Sequence, residues 1–270
     1  MFISGAIVVT GSVFTVILSS LSWYARQYYL ALENNFQLVY SFYVTFLFSI
    51  VLLLLGFYIL YLWLTRHFPQ DSVAGFIGQA VSSGLTKKVF LASCLLYAFF
   101  YMFASGTIVF QPTIDFVKVF GTNSAGIFAE VCCGSPGVVP KLIVAFPEIH
   151  LAFIFAPINL VLLPVFSFLF ALNTSTSASA WLNTRIFSRG VFPFLGGSIL
   201  SFFTSCPSCA AAFFLGSITG INSALSVVLA PYQLLLIYVS LPLLLSSLIV
   251  TAYLSRNSIY AKCNLSKPPV

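Results

Sequence analysis

Two stretches decide how this chain is interpreted: AEVCCGSPGVVP at residues 129–140 and FFTSCPSCAAAFF at residues 202–214. Each contains a cysteine pair within an apolar run that also carries proline. The four cysteines are Cys132, Cys133, Cys206 and Cys209. A shift of about 74 positions places Cys132 on Cys206 and brings the Ala-Pro pairs at 156–157 and 230–231 into the same register. The shared register predicts an internal duplication.

The composition places most of the chain in a lipid bilayer. Of its 270 residues, 60% are hydrophobic and only 6% are charged, which no soluble globular domain matches. Long apolar runs without charge are typical of transmembrane helices, because a hydrocarbon core of about 30 Å needs about 20 helical residues. A nucleic-acid partner is excluded, since no basic cluster with interleaved aromatic residues is present.

The apolar runs predict an all-α, polytopic integral membrane protein with about seven transmembrane helices, including two tandem cysteine-bearing hairpins. The predicted spans are Ile3 to Leu21, Leu38 to Leu64, Val89 to Phe110, Val119 to Phe146, Leu151 to Leu172, Val191 to Ile218 and Leu225 to Leu254. The predicted regions are a three-helix membrane region at 1–112, a first cysteine hairpin at 113–172, a polar connection at 173–190, a second cysteine hairpin at 191–255 and a polar tail at 256–270.

The distribution of Lys and Arg predicts a multi-pass protein of the cell membrane with a cytoplasmic C-terminus, because cytoplasmic loops carry an excess of positive charge. With the N-terminus outside, the seven-span topology puts Arg26, Lys118, Arg185, Arg189, Arg256, Lys262 and Lys267 in inner connections. The outer connections then hold Arg66, Lys87 and Lys88.

Paired thiols at membrane depth favour a soft-metal site. Adjacent thiols, or thiols three residues apart, can both reach one soft cation such as Cu(I) or Hg(II), and binding removes the cost of a buried thiolate charge. Pro136 and Pro207 interrupt the predicted helices near the cysteines, and transporters place their sites at broken helices. A disulfide between the two helices, or simple packing, is the alternative. The lone Cys94 is interpreted as a packing residue.

Glu130 is the candidate proton acceptor or secondary metal ligand. An ionisable side chain within a predicted span is costly and is interpreted as functional by default, and in a helix Glu130 would share the face of Cys133. The alternative is a structural ion pair with Lys118 or Lys141. His150 is interpreted as a solvated turn residue. The sequence shows no nucleophile with a base and no phosphate-binding loop, which favours a transporter-like protein over an enzyme.

The cysteine stretches resemble the membrane hairpins of mercuric-ion transporters of the MerT and MerF type. The resemblance rests on Cys132-Cys133 with Ser135-Pro136 in the first copy, and on Leu215-Gly216 to Gly220 with Pro231-Tyr232 in the second. It covers residues from about 120 to 254 and implies that the four cysteines receive a soft metal ion and pass it inward. This chain differs in its extra N-terminal helices, its two fused hairpins and its Cys-Pro-Ser-Cys pair.

Two other functions are left open. The Cys-Pro-Ser-Cys pair also resembles the cysteines of CcdA-type carriers, which implies transmembrane thiol-disulfide transfer. A role as a non-catalytic subunit of a larger membrane complex is the second of these alternatives. We expect no permanently bound cofactor, with Cu(I) or Hg(II) as cargo. The expected partners are the lipid bilayer and a soluble metal-binding or thioredoxin-like protein, and an oligomer is compatible with the sequence.

Overall fold

The computed structural model describes residues 36–69, 72–110, 112, 117–118, 124–130, 141–184 and 233–265. These residues form five α-helices and one four-stranded sheet. The helices are α1 (Phe36–Arg66), α2 (Val73–Ser82), α3 (Gly84–Ala104), α4 (Pro157–Thr184) and α5 (Gln233–Leu265). The strands are β1 (Ile108–Phe110), β2 (Gly126–Glu130), β3 (Lys141–Phe146) and β4 (Leu151–Phe155).

Four of the five described helices are long and apolar enough to cross a membrane. Their candidate spans are Phe46–Arg66, Gly84–Phe103, Pro157–Leu182 and Val239–Asn257, and they contain 19 to 26 residues each. About 20 residues are needed to cross the hydrocarbon core, so α2, with 10 residues, is too short. The described chain is therefore mostly helical with four candidate spans, as expected of an α-helical membrane protein.

Some of the predicted spans match the helices and others cannot be compared. The predicted span Leu38 to Leu64 lies within α1, and the predicted span Leu225 to Leu254 overlaps α5. Two predicted spans, Ile3 to Leu21 and Val191 to Ile218, lie outside the described residues. The count of seven spans and the boundaries of the five predicted regions therefore stay predictions.

The expectation of an all-α chain is wrong between β1 and β4. The predicted fourth span, Val119 to Phe146, contains strands β2 and β3, and the predicted fifth span begins with β4 before α4 starts at Pro157. The apolar runs in this region are only five or six residues long. Short apolar runs do not distinguish a strand from part of a helix, and joining them across the prolines produced the wrong assignment.

The sheet is antiparallel with the strand order β1-β4-β3-β2. A short turn joins β3 to β4, and His150 ends it in the left-handed region at φ 54°. This is the turn position expected for His150, although the side chain is half-buried. Asn and His are among the non-glycine residues that adopt this conformation most often, so the turn can close without glycine.

The sheet is attached to one end of the helices. The side-chain amide of Asn159, in the first turn of α4, donates to the carbonyl of Ser105 just after α3 at 3.1 Å. The hydroxyl of Tyr43 in α1 donates to the carbonyl of Phe155, the last residue of β4. The amino-terminal ends of α1 and α4 and the carboxyl end of α3 therefore meet at the sheet.

Two apolar clusters fill the space around α4. The sheet-proximal cluster contains Tyr97, Tyr101, Leu162, Phe166, Leu169 and Leu244. The sheet-distal cluster contains Phe76, Ile77, Val81, Phe90, Phe168, Ala171, Leu172, Leu248 and Ala252. Residue numbers rise from the first cluster to the second in both α4 and α5, whereas they fall in α3. Helices α4 and α5 therefore run parallel, and α3 runs antiparallel to both.

Helix α2 is a short helix packed inside the bundle. Ser72 caps it, because the Ser72 hydroxyl accepts a hydrogen bond from the Gly75 amide at 2.9 Å. A Cβ atom at Gly78 would collide with the carbonyl oxygen of Leu64 in α1. Glycine is therefore required at Gly78 for the close approach of the two backbones.

The predicted polar connection at 173–190 is a helix as far as it is described. Residues 173–184 form the carboxyl-terminal part of α4. Asn173, Ser175 and Thr176 are at most 1% exposed. The run of Asn, Ser and Thr was expected to face solvent, whereas neighbouring helices can satisfy such side chains inside a bundle.

Candidate functional site

The four cysteines of the predicted metal site cannot be placed relative to one another. Cys132, Cys133, Cys206 and Cys209 all lie outside the described residues. In the sequence, residues 131–140 join the end of β2 to the start of β3. The metal site formed by these cysteines therefore stays a prediction.

Glu130 is the last residue of a strand, not part of a helix. The helical spacing that placed it on the face of Cys133 does not apply there, because side chains alternate between the two faces of a strand. The ladder between β2 and β3 ends with Glu130 opposite Lys141. The register thus brings the alternative partner Lys141 to the position across from Glu130.

The segment that carries the first cysteine pair is attached to the sheet at both ends, since it follows Glu130 of β2 and precedes Lys141 of β3. In the described part of the chain, β1 and β2 are the outer strands. An open sheet edge exposed to lipid would leave backbone groups without hydrogen bonds, so such edges do not occur in the hydrocarbon region. In a membrane protein, Glu130 and Lys141 would therefore belong to a sheet at the membrane surface or to one shielded by protein.

Cys94 packs as the sequence predicts. Its side chain is half-buried in α3 and contacts the sheet-distal cluster. Over the described ranges, no group of three or more His, Cys, Asp and Glu residues is close enough to hold a metal ion. Cys94 therefore serves as a matched control for experiments on the paired cysteines.

A set of buried polar side chains between α4 and α5 is the best-defined candidate site. We name it the polar seam; it consists of Asn173, Thr176, Ser247, Thr251 and Ser255, which are all buried. The amide of Asn173 donates to the carbonyls of Leu169 and Leu244, both at 3.0 Å. The Asn173 carbonyl oxygen accepts from the hydroxyl of Ser247 at 2.7 Å. Asn173 thus links the two parallel helices through two hydrogen bonds, to Leu244 and Ser247, and makes a third within α4.

The spacing of the buried residues shows that the polar seam continues an apolar interface. The buried series in α4 is Leu162, Phe166, Leu169, Asn173, Thr176 and Ala180, and in α5 it is Ser240, Leu244, Ser247, Thr251 and Ser255. Steps of three and four residues keep side chains on one face of a helix. The α4–α5 interface is therefore largely apolar near the sheet and polar away from it.

Ser175 connects α4 to the junction of α2 and α3. Its hydroxyl lies 2.7 Å from the carbonyl oxygen of Ala80 and 3.1 Å from that of Thr86. Ala80 is in the last turn of α2, where carbonyls lack partners within the helix. Ser175 therefore supplies a hydrogen bond at a helix end that is buried in the bundle.

The polar seam was missed in the sequence although a signal for it exists. The 3-4 spacing of apolar residues in α4 runs through Leu162, Phe166 and Leu169, and it continues without a break to Asn173 and Thr176. A periodicity that crosses from apolar into polar residues predicts that the polar residues face the same neighbour. Treating the polar run as a connection discarded this information.

Comparison with known proteins found no matching family model, no similar curated protein and no similar solved structure.

Proposed function

We propose that this protein moves a soft metal ion, Cu(I) or Hg(II), across a membrane by passing it between paired cysteines. The observation that carries the proposal is the presence of two cysteine pairs, about 74 positions apart, in a chain whose described part contains four membrane-length helices. Thiolates are the ligands that soft ions prefer. The cysteines are Cys132, Cys133, Cys206 and Cys209. The ion is cargo, delivered or received by a soluble metal-binding protein.

The sheet supports a role for the first pair at the point of entry. Cys132 and Cys133 lie two and three residues after the end of β2 in the sequence, and a sheet with open edges is excluded from lipid unless protein shields it. A ligand pair that follows such a strand would meet an ion arriving from water before the ion enters the helical bundle. The second pair, Cys206 and Cys209, would then receive the ion on its way inward.

The charges support an orientation with the sheet outside and the C-terminus in the cytoplasm. Among the described residues, the helix directions put Arg66, Lys87, Lys88 and Arg256 toward the end of the bundle away from the sheet, whereas Lys141 begins β3. The seven-span topology put Arg66, Lys87 and Lys88 on the outer side, so the helix directions favour a different side for these three residues. Positive charge is enriched in cytoplasmic loops. The proposed direction of transport is therefore from the sheet toward the C-terminus.

The parallel helices α4 and α5 are compatible with the proposed repeat. Asn173 and Ser247 are 74 positions apart and share a hydrogen bond. Repeats related by an axis along the membrane normal bring equivalent helices together in one direction. Two parallel neighbours also require the chain to return between them, and the predicted span Val191 to Ile218 would supply that crossing.

Metal titration of the reduced, detergent-purified protein tests the proposal. The full chain should bind one or two Cu(I) or Hg(II) ions tightly, and proteoliposomes should take up the ion. The variants Cys132→Ser/Cys133→Ser and Cys206→Ser/Cys209→Ser should each lose uptake, because each pair supplies ligands. Cys94→Ser, which changes a thiol packed in the bundle, should retain both binding and uptake.

Equal uptake by the parent protein and both double variants would overturn the proposal. A second function is favoured by the Cys-Pro-Ser-Cys spacing, which is typical of redox pairs. If the protein carries out thiol-disulfide transfer, it should bind no metal. It should instead form a disulfide on oxidation and a mixed disulfide with a thioredoxin-like partner. If the protein shows neither metal binding nor thiol-disulfide transfer, the remaining function is that of a subunit in a larger complex.

Glu130 is proposed as the acceptor of one of the protons that the thiols release when metal binds. Glu130→Gln should weaken metal binding most at low pH, where releasing the thiol protons to solvent costs more free energy. Lys141→Gln is the matched control, because it removes the charge across the ladder from Glu130. The same loss of metal binding in both variants would identify an ion pair that supports the fold, and contradict the proton-acceptor role.

A further inference from the structure

Two threonine hydroxyls are buried between α4 and α5 without a hydrogen-bond partner. The side chain of Thr176 is 0% exposed and that of Thr251 is 7% exposed. Neither Oγ1 atom has a partner within the described ranges of the chain. An unsatisfied polar group in a bundle that crosses a membrane is costly, because no bulk water can replace the missing bond. Their burial therefore points to a ligand.

The two hydroxyl-bearing residues lie at the same level of the interface. Thr176 lies one turn beyond Asn173, and Thr251 lies one turn beyond Ser247. Asn173 and Ser247 are bonded to each other across the interface. Because the helices run parallel, one further turn on each brings Thr176 and Thr251 to matching heights on the facing sides.

Thr176 and Thr251 lack the hydrogen bond that nearby hydroxyl residues in the same helices make. The hydroxyl of Thr174 donates to the Phe170 carbonyl at 2.9 Å, and that of Ser255 donates to the Thr251 carbonyl at 2.7 Å. Such a bond to the carbonyl four residues earlier is the usual way to satisfy a hydroxyl inside a helix. Thr176 and Thr251 make no such bond, which leaves their oxygen atoms available to a ligand in the interface.

The chemistry of this region suits a hard monovalent cation. The available ligands are neutral hydroxyl and carbonyl oxygens, which hard cations accept and soft metals do not prefer. None of the five acidic residues of the chain lies in α4 or α5, so a divalent ion would lack compensating charge. We propose that a monovalent cation such as Na⁺ binds between Thr176 and Thr251. This site is separate from the cysteines and goes beyond the proposed function.

Thermal unfolding of the detergent-purified full chain in NaCl, KCl or choline chloride tests the site. A ligand that binds only the folded state raises the unfolding temperature, on the order of 5 °C at a hundredfold excess over Kd. We expect NaCl to produce this rise relative to choline. The variants Thr176→Val and Thr251→Val keep the side-chain shape and should lose the rise. Thr174→Val, which removes a hydroxyl bonded within its own helix, should retain it.

The same variants separate a cation from a bound water molecule. In choline chloride, Thr176→Val should unfold at or above the temperature of the parent protein, because it removes an unsatisfied buried hydroxyl. If the parent protein unfolds at the same temperature in all three salts, the site holds water only and the proposal is wrong. A sodium-dependent rise that survives in both Thr176→Val and Thr251→Val would also overturn it.

Discussion

Ser175 shows how one side chain can join several helices of a membrane bundle. Its hydroxyl reaches carbonyl oxygens of both α2 and α3 from α4. A hydroxyl has one proton, so it can donate fully to only one of the two carbonyls at a time. The bond to the carbonyl of Ala80 matters more, because this carbonyl belongs to the last turn of a buried helix and has no acceptor role within that helix.

Replacing Ser175 with alanine should lower the stability of the bundle. The change leaves the buried carbonyl of Ala80 without this donor, and such losses cost about 1–3 kcal/mol. Ser246→Ala is the matched control, because Ser246 is exposed and bonds only to Leu243 in its own helix at 3.0 Å. Unfolding of the two purified variants in detergent is the measurement. Equal midpoints for both variants would show that the Ser175 bonds contribute nothing.

At this scale the sequence predicted the packing of Cys94 and the turn at His150, but not the buried polar contacts. A cysteine alone in an apolar helix has few roles other than packing. Asn173 and Ser175 each donate to a backbone carbonyl of another helix, at Leu244 and Ala80, which are 71 and 95 positions away. Every residue has such a carbonyl, so no sequence pattern identifies which one will be close.

Among the elements, α1 and α2 show a contact that depends on the absence of a side chain. The backbones approach so closely at Gly78 and Leu64 that a methyl group has no room. Small residues allow such approaches between helices in membranes, where close van der Waals packing replaces the hydrophobic effect as the main attraction.

Gly78→Ala should therefore displace α2 from α1. Overpacking of this kind costs about 1–3 kcal/mol. Gly84→Ala is the comparison, because a Cβ at Gly84 would meet nothing within 4 Å and alanine favours the helix that begins there. Thermal unfolding should show a loss for the first variant and no loss for the second. A Gly78→Ala variant as stable as the parent protein would contradict the close approach.

The elements differ in how far the sequence could predict them. Helix α1 was predicted well, because its 31 residues contain an apolar run too long for a strand. Strands β2, β3 and β4 were not predicted, since each has only five or six residues and pairing with neighbours decides its conformation. The polar half of α4 was interpreted as a connection for a different reason, because Asn173 and Ser175 donate to carbonyls of neighbouring helices inside the bundle.

For the whole molecule, the helix directions place the sheet at one end and the carboxyl ends of α4 and α5 at the other. Helix α3 runs the opposite way to α4, so its first turn lies with the carboxyl end of α5. Membrane character was predictable from composition alone. The parallel arrangement of α4 and α5 was not, because it depends on contacts between residues far apart in the chain.

Labelling from one side of the membrane should distinguish the two ends. Single cysteines introduced at Ile149, in the turn of the sheet, and at Asn257, near the end of α5, are both at exposed positions. A membrane-impermeant maleimide applied to intact cells should label Ile149→Cys above the parent background, and label Asn257→Cys only after the membrane is opened. Leu85→Cys, at the start of α3, should behave like Asn257→Cys. Labelling of Ile149→Cys and Asn257→Cys from the same side would contradict this arrangement.

The burial of Asn173 has a consequence for N-linked glycosylation. Asn173-Thr174-Ser175 is an acceptor sequon, yet Asn173 is 1% exposed and its amide donates to two carbonyls. A sugar on that amide nitrogen would remove a donor and could not fit between α4 and α5. In a cell that glycosylates its secretory proteins, a glycan at Asn173 would therefore mark chains that had not folded.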